Sequence, residues 1–255
     1  MRTALIGHSG FVGGNLLAQA PWDDLYNSKN IQDLAGKRYD LVVCAGAPAA
    51  KWLINQNPDA DAAGLARLKA ALAAARVAEL VLISTIDVYA PPVAVDESTV
   101  IDPRGHHAYG RHRLELEQFC AARLPTRVLR LPGLFGKGLK KNVIYDMLHG
   151  NQLEKIDPDA AFQYYDLRHL AADIAKVRAL DLALVNLATP PLRTARIAEA
   201  LFGLELAPKP GPHGQYDMRS RHSHHWQRTD GYLYSAEDVW ADLAAFVATA
   251  RAELP

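Results

Sequence analysis

The chain has 255 residues, with 28 Lys+Arg balanced by 28 Asp+Glu, a formal net charge of zero. A balanced chain has no bulk positive field with which to hold nucleic acid or an anionic membrane surface, so neither is an expected partner. Its hydrophobic content of 49% and charged content of 22% are those of a globular protein rather than a disordered one.

Thr3 to Ile6 is a short apolar run ending at Gly7, which predicts a buried strand. Residues 11–19 read as a helix stopped by Pro21, and Asp24 to Asn27 as a short second strand. Leu41-Val42-Val43-Cys44 and Leu80-Val81-Leu82-Ile83 are further buried strands. Between them Ala62 to Arg76 is rich in Ala and Leu and nearly free of Gly and Pro, the composition of a helix. Tyr109 to Leu124 is another helix, and Arg127 to Leu131 a strand closed by Pro132-Gly133. The segment between Asn27 and Asp40 is too short for an ordinary helix, so this crossover is shortened. Strands alternating with helices predict the α/β class: a doubly wound, Rossmann-like parallel sheet covered on both faces.

Beyond residue 132 the composition changes, with Gly and Pro at 132–138, 190–191 and 208–214. Helices are expected at 143–149, 167–180, 194–202 and 235–251, and a strand at Leu184 to Leu187. No stretch approaches the roughly 18 uninterrupted apolar residues of a membrane span. Met1-Arg2-Thr3 runs straight into the first strand without the apolar core of a signal peptide, so a cytoplasmic location is expected. Cys44 and Cys120, far apart in sequence, are expected as reduced thiols.

Gly7-His8-Ser9-Gly10-Phe11-Val12-Gly13 lies between the first strand and the first helix. In a dinucleotide-binding turn the first glycine permits the bend, the second admits a pyrophosphate and the third lets helix and strand pack closely. The bland alternative is an ordinary turn. About 20 positions on, where NAD sites place a carboxylate on the ribose 2′-hydroxyl, stand Asn27, Ser28 and Lys29. An amide, a hydroxyl and a cation accommodate a 2′-phosphate, so NADP is weakly favoured over NAD; alternatively Lys29 is a solvated loop residue.

The strand 80–83 runs into Ser84-Thr85-Ile86-Asp87-Val88-Tyr89, and Tyr109-Gly110-Arg111-His112-Arg113 follows on a helix. With the glycine turn and Leu129-Arg130-Leu131-Pro132-Gly133-Leu134-Phe135-Gly136, this arrangement resembles the extended short-chain dehydrogenase/reductase family, the NAD-dependent epimerase/dehydratase group acting on nucleotide-activated sugars. The shortened crossover is similar to the subgroup of dTDP-4-dehydrorhamnose reductase and GDP-fucose synthase. The resemblance implies an oxidoreductase, epimerase or dehydratase with Thr85 and Tyr109 as catalytic residues. It implies cofactor contacts from Gly7, Ser9, Gly10, Phe11, Val12, Gly13, Asn27, Ser28, Lys29, Asp33, Leu34, Ala45, Gly46, Ala47, Pro132 and Leu134. Asp87 and Asn142 are expected at the substrate, and a homodimer through the helices 62–76 and 109–124 is expected. Residues 1–131, with 167–188 returning, would form the dinucleotide-binding domain; 132–166 and 189–255 would form a small interleaved C-terminal substrate-binding cap.

One departure stands out. The family has Tyr-x-x-x-Lys, and Arg113 occupies the lysine position. A cation one helical turn on lies on the tyrosine's face and can stabilise a tyrosinate, but arginine is planar and never neutral. Arg113 is therefore read as a catalytic cation, with a non-catalytic, cofactor-binding regulatory protein as the alternative. Lys137, Lys140 and Lys141 are either diphosphate contacts or a solvated loop. Arg219, Arg221, His222, His224 and His225 form an anion-binding or solvated loop. Cysteines and convergent carboxylates do not accompany these histidines, so no metal is expected.

Overall fold

The structure, a computed structural model, describes residues 1–254. The apolar runs become six strands: β1 (Thr3–Ile6), β2 (Asp24–Tyr26), β3 (Leu41–Cys44), β4 (Leu80–Thr85), β5 (Thr126–Leu131) and β6 (Leu184–Asn186). They form one parallel sheet in the order β6-β5-β4-β3-β1-β2. Val43 pairs with Val81 and Ile83 with Leu129, so the two strands most clearly legible as buried runs lie side by side and parallel. The chain leaves β1 in one direction to β2 and recrosses to β3, which creates the switch point where α/β sheets open a crevice beyond their carboxyl ends.

Five helices accompany the sheet: α1 (Phe11–Gln19), α2 (Lys51–Gln56), α3 (Pro58–Ala74), α4 (Ala108–Arg123) and α5 (Leu170–Ala179). Ala4, Ile6, Val42, Cys44, Leu80 and Leu82 point to one face and share a core with Leu65, Leu68 and Leu72 of α3 and Leu116 and Cys120 of α4. The alternate residues Leu5, Val43 and Val81 are also fully buried, as a sheet covered on both faces requires. α3 starts where Pro58 occupies its first turn and the Asn57 side chain accepts from the Ala60 amide, 3.4 Å away. The short crossover from β2 to β3 holds only a 3₁₀ turn, Ile31–Leu34, and Arg38–Tyr39, which pairs with Arg76–Val77.

The chain divides into two units. The first comprises Met1–Ala90, Thr99–Leu131 and Arg168–Val185; the second comprises Pro91–Ser98, Pro132–Leu167 and Asn186–Pro255. Pro91–Ser98 thus groups with the second unit, outside the ranges expected for the cap. Its Val93–Val95 pairs with Asp217–Met218. Gly133–Phe135 pairs with Tyr164–Asp166, and Ala161–Phe162 with Leu192–Arg193. The core of this unit joins Phe135, Ile144, Met147, Tyr164, Ile197, Val239 and Leu243. The helix expected over 194–202 is α-helical at Thr194–Ile197 and widens to a π turn at Ala198–Phe202. Ala236–Ala252 begins with a capping box between Ser235 and Asp238. Among the described residues no helix is long and apolar enough to cross a membrane.

Candidate active site

β1 ends in the glycine turn, and the structure separates what each glycine does. Gly7 has φ +89°, and a Cβ there would lie 2.3 Å from the Ala45 carbonyl oxygen. A Cβ at Gly13 would lie 2.1 Å from the Gly7 carbonyl oxygen. Both are glycine because the protein's own backbone fills the space. Gly10 differs: its φ is −87°, and a Cβ would meet only the Gly7 oxygen, at 3.3 Å. The fold alone places a mild demand on Gly10, which is exposed and stands at the N-cap of α1. That helix opens with no capping side chain and no acidic residue in its first turn, as an anion-binding helix end does. A pyrophosphate fits this cradle by shape and by sign. Ser9 is exposed beside Gly10, and Phe11 and Val12 are half-buried at the start of α1.

β2 delivers Asn27, Ser28 and Lys29. Asn27 is ordered from three sides: its amide N–H donates to Asn30 Oδ1 (2.7 Å), its Oδ1 accepts from the Lys29 N–H (2.9 Å), and its Nδ2 lies 3.2 Å from His8 Nε2. His8, inside the glycine turn, is a neighbour that sequence spacing could not supply. Ser28 and Lys29 are exposed. Asp33 is exposed on the 3₁₀ turn, whereas Leu34 is fully buried in the sheet core, leaving only its backbone to face a ligand. Ala45, Gly46 and Ala47 follow β3, with the Ala45 N–H donating to the Ile6 carbonyl at 2.9 Å.

Thr85 closes β4 and caps the 3₁₀ turn Ile86–Val88, its Oγ1 accepting from the Asp87 N–H at 3.2 Å. Tyr109 is the second residue of α4. The helix is capped by His107, whose Nδ1 accepts from the Gly110 N–H at 3.0 Å. This needs an unprotonated Nδ1, and burial, aided by Lys51, does lower the His107 pKa below its ordinary 6.5. The Tyr109 N–H donates to Asn55 Oδ1 of α2, 3.0 Å away. A Cβ on Gly110 would lie 2.1 Å from the Asp87 carbonyl oxygen and 2.2 Å from the His106 ring, so only glycine lets the Thr85–Asp87 segment close on α4. Thr85 and Tyr109 are thereby brought close enough together for the threonine hydroxyl to act on the phenol. Burial pushes the phenol's pKa up, opposed by Arg113; Asp87 raises it further, while Thr85 and Lys51 lower it.

Arg113 is not an open cation. Its guanidinium is 3% exposed and grips Asp61 of α3 with both ends, Nη1 to Oδ2 at 2.8 Å and Nη2 to Oδ1 at 3.0 Å. Nη2 also donates to the Pro48 carbonyl at 2.5 Å, and the guanidinium lies 4.7 Å from the centre of the Tyr109 ring. His112 Nδ1 lies 2.8 Å from the same Asp61. These partners hold the Asp61 carboxyl below its ordinary pKa despite its burial. Below Thr85, Ser84 donates to Glu117, which is doubly paired with buried Arg130, and Arg130 donates to the Tyr89 hydroxyl at 2.7 Å. This network ties β4, β5 and α4 together beneath the candidate centre. Sequence reasoning missed Lys51, Asn55, His107 and Asp61, which lack a local motif.

Asp87 is half-buried and accepts from Lys51 Nζ at 2.6 Å. Pro132, Leu134 and Asn142 belong to the second unit. Asn142 caps the helix Val143–His149: its Oδ1 accepts from the Ile144 and Tyr145 amides and its Nδ2 donates to the Leu134 carbonyl at 2.9 Å. It also borders a cavity of about 260 Å³ with Gly133, Phe162, Gln163, Tyr164 and Tyr216.

No protein-family model and no curated sequence matches the chain. Solved structures do resemble it along its whole length. UDP-glucose 4-epimerase of Thermotoga maritima, solved with UDP-glucose, superposes with a TM-score of 0.74 at 15% identity, covering 100% of both chains. RMD of Pseudomonas aeruginosa, solved with NADPH, gives 0.74 at 19%, covering 99% of this chain and 100% of the other. A dTDP-4-dehydrorhamnose reductase of Clostridium acetobutylicum gives 0.73 at 17%, covering 98% and 99%. At these identities the likeness establishes a shared Rossmann-like fold.

Proposed function

We propose that the protein is a nicotinamide-dependent oxidoreductase or epimerase acting on a nucleotide-activated sugar. The observation that carries this reading is the approach of Thr85 to Tyr109, where Gly110 lets the turn that Thr85 caps close on α4, in the unit that also presents the glycine cradle. Gly7, Gly10 and Gly13 would hold the pyrophosphate. Asn27, Ser28 and Lys29 would face the adenosine ribose and, lacking a carboxylate, favour NADP. A bound nicotinamide supplies or accepts the hydride. Tyr109, kept neutral by burial, hands its proton to the sugar oxygen as that oxygen gains charge, and Thr85 orients the same oxygen by a hydrogen bond. In the oxidative direction the tyrosinate form of Tyr109 takes the proton from the sugar hydroxyl as the hydride leaves. Asp87 and Asn142 are proposed substrate neighbours.

The locked guanidinium of Arg113 favours one second reading, a cofactor-binding protein without turnover. The two separate in one experiment: titrate NADPH and NADH by fluorescence, then offer a panel of sugar nucleotides. Dinucleotide binding with turnover that falls about 10²–10⁴-fold in Tyr109→Phe is expected of the enzyme. Binding that survives with no turnover of any sugar nucleotide leaves the second reading. Gly10→Val should abolish binding while the protein stays folded; micromolar affinity retained in that variant would refute the cradle. A tenfold preference for NADH, about 1.4 kcal/mol, would reverse the NADP assignment.

A further inference from the structure

The helix α2 was invisible in the sequence, yet it reaches the candidate centre at two points one turn apart. Its first residue, Lys51, places Nζ 2.6 Å from Asp87 Oδ1, and Asn55 accepts the Tyr109 N–H. Asp87 in turn sits on the turn that Thr85 caps, pressed against α4 where Gly110 admits its carbonyl. The charged and titratable groups around the phenol can therefore be enumerated by element. Arg113 comes from the tyrosine's own helix, with Asp61 and His112 behind it. His107 stacks at 6.3 Å from the loop before that helix, itself against His106 at 4.7 Å. Asp87 comes from the turn after β4, and Lys51 from α2. Arg113, though paired with Asp61, still favours a tyrosinate, and the carboxylate of Asp87 is the charge that disfavours it.

We infer that Lys51 is a positioning residue for Tyr109: by pairing with Asp87, whose turn packs on α4, it offsets that carboxylate and adds to the cation that Arg113 supplies from the tyrosine's own helix. The side chain of Lys51 is 38% exposed and that of Asp87 16%, so the pair is partly hydrated and its charges act on the phenol without a heavy desolvation cost. Lys51 and Asp87, of opposite charge, pull the phenol in opposite directions. The inference rests on Tyr109 being the proton-transfer group, and its test does not require turnover.

Difluorotyrosine placed at position 109 acidifies the phenol enough to titrate it within the folded range, and its ¹⁹F resonance reports that ring alone. Lys51→Met should move the titration midpoint up by about half a pH unit, and Asp87→Asn should move it down by a similar amount. Lys51→Arg should leave it in place, and Lys51→Met/Asp87→Asn should return it close to the parent midpoint. A midpoint unmoved by Lys51→Met, or a double variant that fails to compensate, overturns the inference. A merely structural Lys51 would give additive losses of stability and no compensation. Compensation in a protein that turns over no sugar nucleotide would keep this role for Lys51 and discard the enzyme reading.

Discussion

At the scale of single residues, Arg113 shows how one substitution is absorbed. A lysine has a single ammonium and could not bridge Asp61 and the Pro48 carbonyl in the geometry the guanidinium holds. Arg113→Lys should therefore lower stability by about 1–3 kcal/mol while keeping or raising turnover. Turnover lost together with cofactor affinity would show that Arg113 itself serves the site. His107 gives a pH prediction. Its folded pKa is depressed by burial, so the folded state binds its proton less readily than the unfolded chain does. Stability from this group is complete above the unfolded value of 6.5 and is lost as pH falls through the lower folded value. His107→Asn keeps a capping side chain that does not titrate. In thermal unfolding between pH 7 and pH 5 the variant should lose less than the parent; parallel curves would exclude the cap.

At the scale of elements, the buried pair linking α4 to β5 makes the strongest stability prediction. Glu117→Ala strands the Arg130 guanidinium, which is 5% exposed, and should cost about 3–5 kcal/mol in denaturant unfolding. A loss under about 1 kcal/mol would mean that water reaches Arg130. The elements also mark what a sequence can display. The runs Leu41–Cys44 and Leu80–Ile83 are legible because a strand covered on both faces must be apolar throughout. The glycine turn and the approach of the Thr85 turn to α4 are legible because close backbone approach at Gly7, Gly13 and Gly110 restricts residue choice. Lys51–Gln56 is not, since Lys-Trp-Leu-Ile-Asn-Gln is too short to show a period, with Trp52 and Leu53 exposed and Ile54 buried. The two-residue pairings of the second unit are equally silent, because their register is set by packing between distant segments. Leu34 is a family position whose side chain lies in the sheet core.

For the whole molecule, the outer surface of α3 bears on assembly. Leu65, Leu68 and Leu72 are turned into the sheet, which leaves Ala62, Ala66, Ala70 and Ala73 exposed along one stripe. Small side chains allow two copies to approach closely, and this stripe is the proposed homodimer contact. Ala66→Arg should convert a dimer to a monomer in sedimentation velocity without changing the unfolding of the first unit. A parent protein that stays monomeric at high micromolar concentration would count against the assembly.

The order of strands carries a consequence for synthesis. β5 leaves the ribosome long before its outer neighbour β6, with residues 132–183 between them. At about 5–20 residues per second, the polar edge of β5 stays bare for roughly 3–10 s. An unpaired edge is a template for other chains. Nascent chains arrested after Leu131 should therefore bind holdase chaperones, and those arrested well after Asn186 should release them.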